Sequence, residues 1–418
     1  MEYKKNALLC LEKRRNWIYS LGESLFACPE LGFKEYKTNR IICAALEELE
    51  IPFQNDVALT GIRATLGSGS YHIALVTDMD AVDVGGRPFH SCGHSIQSAV
   101  MLGVLAALKE TGIVDELGGK VSFIAAPAEE YIDLDYRLGL IREGKIRYPS
   151  GKQNMIYCGL FDSVDCGISV HVSGDEKYRF DVGSTLTGFT IKKVTFHGRA
   201  AHSGAAPHLG KNALHGAVLS MDALAFLAAR FAPEAGVRIH PVIKDSGMSM
   251  NVIPETVILE SYVRANTREA MFEARERFDA CVRHCAEALD LTASVETRSG
   301  YLPLCQSETL CGAVYRNMLE ICSGESIAGH VASGASGDMG DLGFLIPCVQ
   351  FGFSGIQGRI HSDSFTIADP EHVYMDTARV ALKTVIDILA DPQLRVRNGE
   401  YEKDKAFYIN EWLSGEGS

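Results

Sequence analysis

The sequence contains four small groups of side chains of the kinds that bind metal ions or carry protons in enzymes. These groups are Asp78 with Asp80, Cys92 with His94, Glu129 with Glu130, and His171. Cysteine, histidine and glutamate are the ligand types expected for zinc or a similar divalent ion. If the fold brings the four groups together, they would form a metal centre.

Strands and helices alternate around these groups, which predicts how they are positioned. Apolar runs at residues 62–66, 73–76, 121–125 and 167–170 predict strands, and helical patterns cover 11–25, 36–49, 95–111 and 136–143. This alternation predicts an α/β fold whose mostly parallel sheet is covered on both faces. Sheets of this kind bind ligands at the carboxyl ends of their strands, so the four groups are expected to converge there.

Each group taken alone has a simpler interpretation. A single histidine such as His171 is more often a buried, hydrogen-bonded core residue than a ligand. Adjacent glutamates usually form charged surface, and Cys92-Gly93-His94 is shorter than the paired cysteine motifs of structural zinc sites. The prediction of a metal centre therefore depends on the combination of all four groups at strand ends.

The pattern of elements changes near Gly183. From residue 189 to 289 the order becomes strand, helix, two strands and a long helix, which predicts a self-contained α+β domain inserted into the first. We therefore expect a catalytic domain formed by residues 1–184 and 294–418, with the inserted domain at 185–293. After residue 294 the patterns predict helices at 310–321 and 373–389 and a strand at 348–351.

Composition excludes several classes of function. The formal net charge of -13 opposes binding to phosphate backbones, so no nucleic-acid partner is expected. Apolar runs of ~18 residues are absent from the sequence, so no membrane span is predicted. The charged N-terminus does not resemble a secretory segment, and the twelve cysteines therefore predict reduced thiols in a cytoplasmic protein.

Longer motifs in this sequence resemble those of a known family. The motifs are FHSCGH at 89–94, PAEE at 127–130, SVHV at 169–172, GRAAHSG at 198–204, NVIP at 251–254, Arg264, and GRIHS at 358–362. The set is similar to the amidohydrolase branch of the aminoacylase/carboxypeptidase metallopeptidase superfamily. That branch includes hippurate, auxin-conjugate and aminobenzoyl-glutamate hydrolases. The resemblance extends over nearly the whole chain and implies a metal-binding α/β domain interrupted by a lid domain.

The resemblance implies a role for each residue near the metal centre. Two divalent ions, zinc or manganese, would be held by Cys92 as a bridging thiolate together with His94, Glu130, His171 and His361. Glu129 would be the general base that activates a water for attack on the amide. Asp78 and Asp80 would not bind a metal themselves but would lie next to the residues that do.

The resemblance also implies roles for the inserted domain. His202, Asn251 and Arg264 lie where the family holds its substrate, here expected to be a small N-acylated molecule. His202 would donate to the oxyanion and Arg264 would pair with a substrate carboxylate. A structural salt bridge is an equally good interpretation of Arg264. The same domain usually forms a homodimer in the family, so a homodimer is expected.

Parts of the sequence depart from the family pattern. The metal motif usually continues with Asp and then His two residues later, but this chain has Ser95 and Gln97. Segment 131–135 replaces a glycine-rich stretch, and 142–153 resembles an insertion. Loss of groups that support metal ligands can weaken metal affinity by ~10–100-fold.

These departures leave three functions open. The first is hydrolysis of the amide bond of an N-acyl amino acid or a related conjugate. The second is dipeptidase or carboxypeptidase activity of the same superfamily. The third is a catalytically silent relative that binds a metal or a small molecule, which the changes at Ser95 and Gln97 favour and the intact Glu129 opposes.

Overall fold

The computed structural model describes residues 2–173, 177–247 and 249–414. The chain forms two compact units. Unit 1 comprises Met1–Thr185, Cys305–Ala332 and Asp341–Ala406, and unit 2 comprises Leu186–Leu304, Ser333–Gly340 and Phe407–Ser418. The inserted domain was predicted to end at residue 293. Unit 2 continues to Leu304 and includes two later segments of the chain.

The helices and strands are as follows, in chain order. The helices are α1 (Glu2–Lys13), α2 (Arg15–Phe26), α3 (Tyr36–Glu48), α4 (His94–Thr111), α5 (Ile113–Glu116), α6 (Leu134–Arg142), α7 (Gly151–Tyr157), α8 (Ala213–Ala228), α9 (Arg268–Glu287), α10 (Glu308–Met318), α11 (Met339–Leu345), α12 (Thr377–Ala390) and α13 (Tyr401–Phe407). The strands are β1 (Phe53–Val57), β2 (Gly61–Leu66), β3 (Tyr71–Asp78), β4 (Val82–Val84), β5 (Arg87–Phe89), β6 (Gly119–Ala126), β7 (Cys166–Val172), β8 (Phe180–Val182), β9 (Gly188–His197), β10 (Arg238–Asp245), β11 (Thr256–Ala265), β12 (Thr292–Ser299), β13 (Ile327–Gly329), β14 (Cys348–Phe353), β15 (Ile356–Gln357) and β16 (Thr366–Ile367).

Unit 1 is built on an eight-stranded sheet of order β1-β2-β6-β3-β7-β14-β8-β13. The central strands β6, β3, β7 and β14 are parallel, whereas β1, β2 and the β14–β8 pair are antiparallel. All eight residues of β3 are buried, as expected for a strand with both faces covered. The prediction of an α/β fold with a mostly parallel sheet is confirmed.

Helix α4 packs on the central strands and fixes the position of the metal-ligand motif. Every residue from His94 to Leu108 is buried, and α4 contacts β3, β6 and β7. Its first residue, His94, follows Gly93, which has a φ of +83°. A side chain at position 93 would be strained in this backbone conformation and would press on Val172. The turn from Cys92 into α4 therefore needs glycine.

Unit 2 contains an antiparallel four-stranded sheet of order β10-β11-β9-β12. Buried and more exposed residues alternate along β11, and helices α8 and α9 pack on the sheet. Strand β12 is the fourth strand of this sheet, and the sequence analysis did not predict it. Its TASVETRS segment has one strongly apolar residue, Val295, so the alternation that reveals a strand is weak there.

The first predicted helix also differs from the structure. The pattern at 11–25 predicted a continuous helix, but α1 and α2 are separate helices that meet at Arg14. Apolar spacing continues across this break, so the pattern alone does not reveal it. Within the described ranges, none of the helices has the length and apolar character that a membrane crossing requires.

Candidate metal centre

The predicted metal ligands lie together at the carboxyl edge of the unit 1 sheet. Asp78 ends β3, His171 lies near the end of β7, and His94 begins α4. Glu129 and Glu130 follow β6 by three and four residues, in the turn of residues 127–130, which we call the glutamate turn. Three parallel strands and one helix thus deliver these side chains to one place.

Cys92 lies at the centre of the cluster. Its Sγ is 3.5 Å from His171 Nε2 and 3.2 Å from His361 Nε2. His361 Nε2 is also 3.2 Å from Glu130 Oε1. The ligand atoms of Cys92, His94 and His171 lie within 4.8 Å of one another, as do those of Cys92, Glu130 and His361. Cys92 therefore belongs to two sets of three donors.

The remaining contacts orient two of the histidine rings. His94 Nδ1 lies 2.8 Å from the carbonyl oxygen of Asp80, and His171 Nδ1 lies 3.0 Å from that of Val172. A carbonyl can only accept, so Nδ1 of each ring donates and Nε2 is left to bind a metal. His94 Nε2 is 3.9 Å from Glu129 Oε2.

Burial and mutual charge shift the pKa values in the cluster in opposite directions. Burial raises the pKa of the Cys92 thiol well above its usual range, and the Glu130 carboxylate adds to this effect. Burial alone would raise the pKa of Glu130, but its bond to His361 and the charge of His94 hold it at about 2. Burial would lower the pKa of His94, yet Cys92 and Asp80 raise it well above its usual range.

One buried atom and the types of the donors show that the residues fit a divalent ion. The anionic groups around His94 favour positive charge at its ring, which a metal cation supplies without a proton. His94 Nε2 is buried and has no hydrogen-bond partner within the described part of the chain. A buried, unpaired imidazole nitrogen is costly unless something binds it. Thiol, imidazole and carboxylate are moreover the donors that zinc and similar ions select.

Asp78 and Asp80, predicted to support the ligands, make different contacts in the structure. The Asp80 carboxylate accepts hydrogen bonds from the backbone N–H groups of Glu129 and Glu130, at 3.1 and 3.0 Å. Asp78 is paired with the fully buried ammonium of Lys152. Its backbone N–H donates to the side-chain oxygen of Gln97 at 2.9 Å. Gln97, one of the departures from the family pattern, thus fixes the end of β3.

Three charged residues near the centre were not predicted from the sequence. Lys152 lies at the start of α7, within the segment 142–153 that resembles an insertion in the sequence. Glu35 and Arg137 are buried, and both form hydrogen bonds to the glutamate turn. A weak signal for α7 existed, because Ser150 and Gln153 form a capping box at its start. For Glu35 and Arg137 the sequence gives no such signal.

His202, Asn251 and Arg264 all lie in unit 2 and are described there. His202 is exposed, and its Nδ1 accepts hydrogen bonds from the N–H groups of Gly204 and Ala205, at 3.2 and 3.0 Å. Asn251 is exposed on the segment that pairs with this loop, where its carbonyl accepts from the Ser203 N–H.

Arg264 is held by its neighbours in unit 2. It donates to the Gly334 carbonyl oxygen at 3.1 Å, and its guanidinium lies 5.5 and 5.9 Å from the rings of Tyr262 and Phe189. These contacts fix the direction of the side chain. They are not the salt bridge that was the alternative interpretation of this residue.

A mostly parallel sheet whose carboxyl edge carries buried thiol, imidazole and carboxylate groups fits a metal-dependent hydrolase. The particular family follows from sequence comparison. A family model described as peptidase family M20/M25/M40 matches residues 74–387, and the chain belongs to this family. The resemblance to its amidohydrolase branch is confirmed, and the chain is a metal-dependent hydrolase of amide or peptide bonds.

Relatives of this chain within the family are named for different substrates. The chain is 30% identical over 324 residues to N-acetyl-L-cysteine deacetylase of Bacillus subtilis, covering 73% of this chain and 72% of the relative. It is 24% identical over 416 residues to Xaa-Arg dipeptidase of Mus musculus, covering 94% and 90%. It is also 24% identical over 398 residues to IAA-amino acid hydrolase ILR1-like 4 of Arabidopsis thaliana, covering 88% and 83%.

Solved structures share the fold. A putative aminohydrolase from methicillin-resistant Staphylococcus aureus superposes with a TM-score of 0.80 at 21% identity, covering 92% of this chain and all of the other. The YXEP protein of Bacillus subtilis, described as a dinuclear metal binding peptidase of the M20 family, gives 0.71 at 18% identity, covering 90% and 99%.

Proposed function

We propose that this chain hydrolyses the amide bond of a small N-acyl amino acid or a related conjugate, with Glu129 as the general base. The observation that carries this proposal is the position of Glu129. Its carboxylate is largely buried and lies 3.9 Å from the ring of His94, inside the cluster of predicted ligands. A carboxylate held beside metal ligands is placed to take a proton from a water that attacks a bound substrate.

We assign the ligands to two divalent ions that share Cys92. The assignment is supported by the two sets of three donors that contain Cys92, completed by His94, His171, Glu130 and His361. When bound, such ions lower the pKa of a water and polarise the scissile carbonyl. Thiolate and imidazole favour zinc, whereas the carboxylates also suit manganese.

The remaining site residues each have a role in this proposal. Glu129 takes the proton of the attacking water and passes it to the leaving nitrogen. His202 donates to the oxyanion, and Asn251 and Arg264 hold the substrate. The contacts that orient Arg264 support its assignment, because a guanidinium with a fixed direction can form a two-pronged bond with a carboxylate at a small entropic cost.

A dipeptidase is the second candidate. The similarity to Xaa-Arg dipeptidase of Mus musculus extends over 94% of this chain and favours it. The two candidates differ in what the substrate carries on its amino side. An N-acyl amino acid hydrolase accepts a neutral acyl group, whereas a dipeptidase needs a free α-amine.

We further propose a cytoplasmic homodimer formed through unit 2. The twelve cysteines are all free thiols, which suits a reducing compartment and supports the cytoplasm. On the surface of unit 2, Val218, Leu219 and Phe226 of α8 are exposed, as is Val242 on the edge strand β10. Exposed apolar side chains beside an unpaired strand edge are typical of a protein interface.

Metal analysis and a substrate panel test the proposed function together. The purified chain would be reconstituted with Zn²⁺ or Mn²⁺, and its metal content measured. It would then be tested on N-acetyl and N-benzoyl amino acids beside dipeptides with a free amine. We expect two ions and cleavage of the N-acyl substrates. Cleavage restricted to the free dipeptides would establish the second candidate instead.

The Glu129→Gln variant tests the general base. Because the amide cannot accept the water proton, we expect metal content to persist while kcat falls by about 10²–10⁴-fold. Glu143→Gln, at an exposed glutamate after α6, is the matched control and should retain wild-type turnover. Wild-type turnover by Glu129→Gln would remove this residue from the reaction.

A further inference from the structure

Arg137 of α6 is a buried charge that contacts the glutamate turn. Its side chain is buried at 1% exposure. The guanidinium donates to the backbone carbonyl oxygens of Ala128 at 3.1 Å, Pro149 at 2.6 Å, and Glu130. Two of these carbonyls belong to the turn that carries Glu129. Arg137 thus bonds to the residues immediately before and after Glu129.

The surroundings of Arg137 fit a planar guanidinium. The rings of Phe33 and Tyr131 lie 5.5 and 5.9 Å from its central carbon. Gly32 leaves the space that the guanidinium occupies, since a Cβ at that position would lie 2.6 Å from Arg137 Nη2. The forked donors of arginine reach several carbonyls at once, which the single ammonium of a lysine cannot do in the same geometry.

The amide groups of the glutamate turn are held by carboxylates. Asp80 accepts from the N–H groups of Glu129 and Glu130, and Glu35 accepts from the N–H of Ala128 at 2.8 Å. Arg137 thus holds two carbonyls of this turn, and the acidic side chains of Asp80 and Glu35 hold three of its N–H groups. The bonds made by a charged partner are stronger than those made by a neutral one.

The turn needs these external contacts because its backbone is strained. Ala128 has a φ of +55°, in the left-handed region that is unfavourable for a residue with a side chain. Such a conformation persists only when its surroundings impose it. Without the bonds from Arg137, two carbonyls of the turn lose this donor, and a relaxation there would move the carboxylates of Glu129 and Glu130.

We propose that Arg137 is a positioning residue for the hydrolysis reaction. It holds the glutamate turn so that Glu129 faces the substrate water while Glu130 remains in the ligand set. This inference rests on the proposed function, in which Glu129 is the base. A displacement of about 1 Å at a catalytic group can cost ~10²-fold in rate, so the loss of these bonds should appear mainly in kcat.

The test compares Arg137→Met and Arg137→Lys with Arg142→Met, a matched control at an exposed arginine of the same helix. Each variant would be prepared as the Zn²⁺ or Mn²⁺ enzyme for kcat and KM on an N-acyl amino acid that the wild type cleaves. Each would also be loaded with Co²⁺, whose absorption spectrum reports ligand geometry without any turnover. Melting temperature would be measured for all of them.

We expect Arg137→Met to lose ~10²-fold in kcat with KM changed by less than a few-fold, and to show an altered Co²⁺ spectrum. Arg137→Lys should recover part of the kcat, because it restores the charge without the fork. The control should match the wild type in each measurement. If Arg137→Met does not fold, a kcat loss in Arg137→Lys at a wild-type melting temperature supports the proposal.

Two results would overturn the inference. One is a wild-type kcat and Co²⁺ spectrum in Arg137→Met, or in Arg137→Lys if only that variant folds. The other is a kcat loss accompanied by a proportional rise in KM and an unchanged spectrum. Failure of the proposed function is a separate outcome, because the wild type itself would then cleave no N-acyl amino acid. The Co²⁺ spectra would still report in that case whether Arg137 sets the metal geometry.

Discussion

At the scale of single residues, the centre concentrates anionic groups where water has little access. The buried Cys92 thiol has a pKa well above its usual range, because burial and the carboxylate of Glu130 both oppose the thiolate. A bound divalent cation reverses this preference, since the positive charge stabilises the thiolate directly. Metal binding and loss of the Cys92 proton are therefore expected to occur together.

Replacement of Cys92 by alanine tests whether one thiolate serves both metals. Because both sets of three donors include Cys92, Cys92→Ala should lower the metal content of each site rather than of one. Metal analysis after dialysis, with competition by a chelator, measures this effect. Cys158→Ala, at an exposed cysteine, is the matched control and should keep the wild-type content. An unchanged stoichiometry in Cys92→Ala would contradict a bridging role.

Predictability at this scale depends on residue type. Cys92, His94 and Glu130 could be predicted because their types match metal ligands and because they follow one another in a recognisable order. Arg137 and Lys152 could not, since a charged residue in a helical pattern is normally on the solvated surface. Only the fold shows that these two cations are buried against the centre.

At the scale of elements, two charged residues connect helix α7 to the end of strand β3. Lys152 is fully buried and paired with Asp78, the last residue of β3. Gln97 bonds to the Asp78 backbone, so Asp78 is held through its N–H by Gln97 and through its carboxylate by Lys152.

Breaking this pair should destabilise unit 1. Lys152→Met leaves the carboxylate of Asp78 in a buried position without this ammonium, which typically costs about 3–5 kcal/mol. The double variant Asp78→Asn with Lys152→Met should cost less than the single variant, because no unpaired charge remains. Urea unfolding at pH 7 measures both. If the single and double variants lost the same free energy of unfolding, the unpaired charge of Asp78 would not be the cause of the destabilisation.

The pair also predicts a pH dependence. Burial would raise the pKa of Asp78, but Lys152 outweighs this effect and holds that pKa below its ordinary value of 3.8. A carboxyl with a lowered folded-state pKa stabilises the fold above its unfolded pKa, and this contribution is lost as the pH falls through the folded pKa. The stability difference between wild type and double variant should therefore be largest near neutral pH and shrink in acid below about pH 4.

Long elements with a clear period were predictable, and short ones were not. Strands β3, β6 and β7 and helix α4 lie within a few residues of their predicted positions, because their apolar runs are bounded by turns. Helix α7 and strand β12 were not predicted, because their few apolar residues give no distinct period. Helices α1 and α2 were predicted as one helix, since apolar spacing continues across Arg14.

At the scale of the whole molecule, the two units carry different parts of the proposed function. Unit 1 contains the metal centre, and its fold follows from buried parallel strands that the sequence could predict. Unit 2 contains His202 and Arg264 and the exposed apolar side chains. Its later segments, Ser333–Gly340 and Phe407–Ser418, come from sequence positions far from the inserted domain, so no local pattern could assign them to it.

The exposed face of unit 2 gives the prediction that belongs to this scale. Phe226 is 74% exposed, and Val218 and Val242 are 48% and 46% exposed. A charge introduced among these side chains should oppose their burial in a dimer. Light scattering after size exclusion should therefore give twice the monomer mass for the wild type and the monomer mass for Phe226→Glu. Tyr36→Glu, at an exposed aromatic residue of unit 1, is the control and should leave the mass unchanged. If the dimer also supplies His202 to the reaction, Phe226→Glu should lose kcat on dilution while it keeps both metals. A monomer mass for the wild type would contradict the proposed dimer.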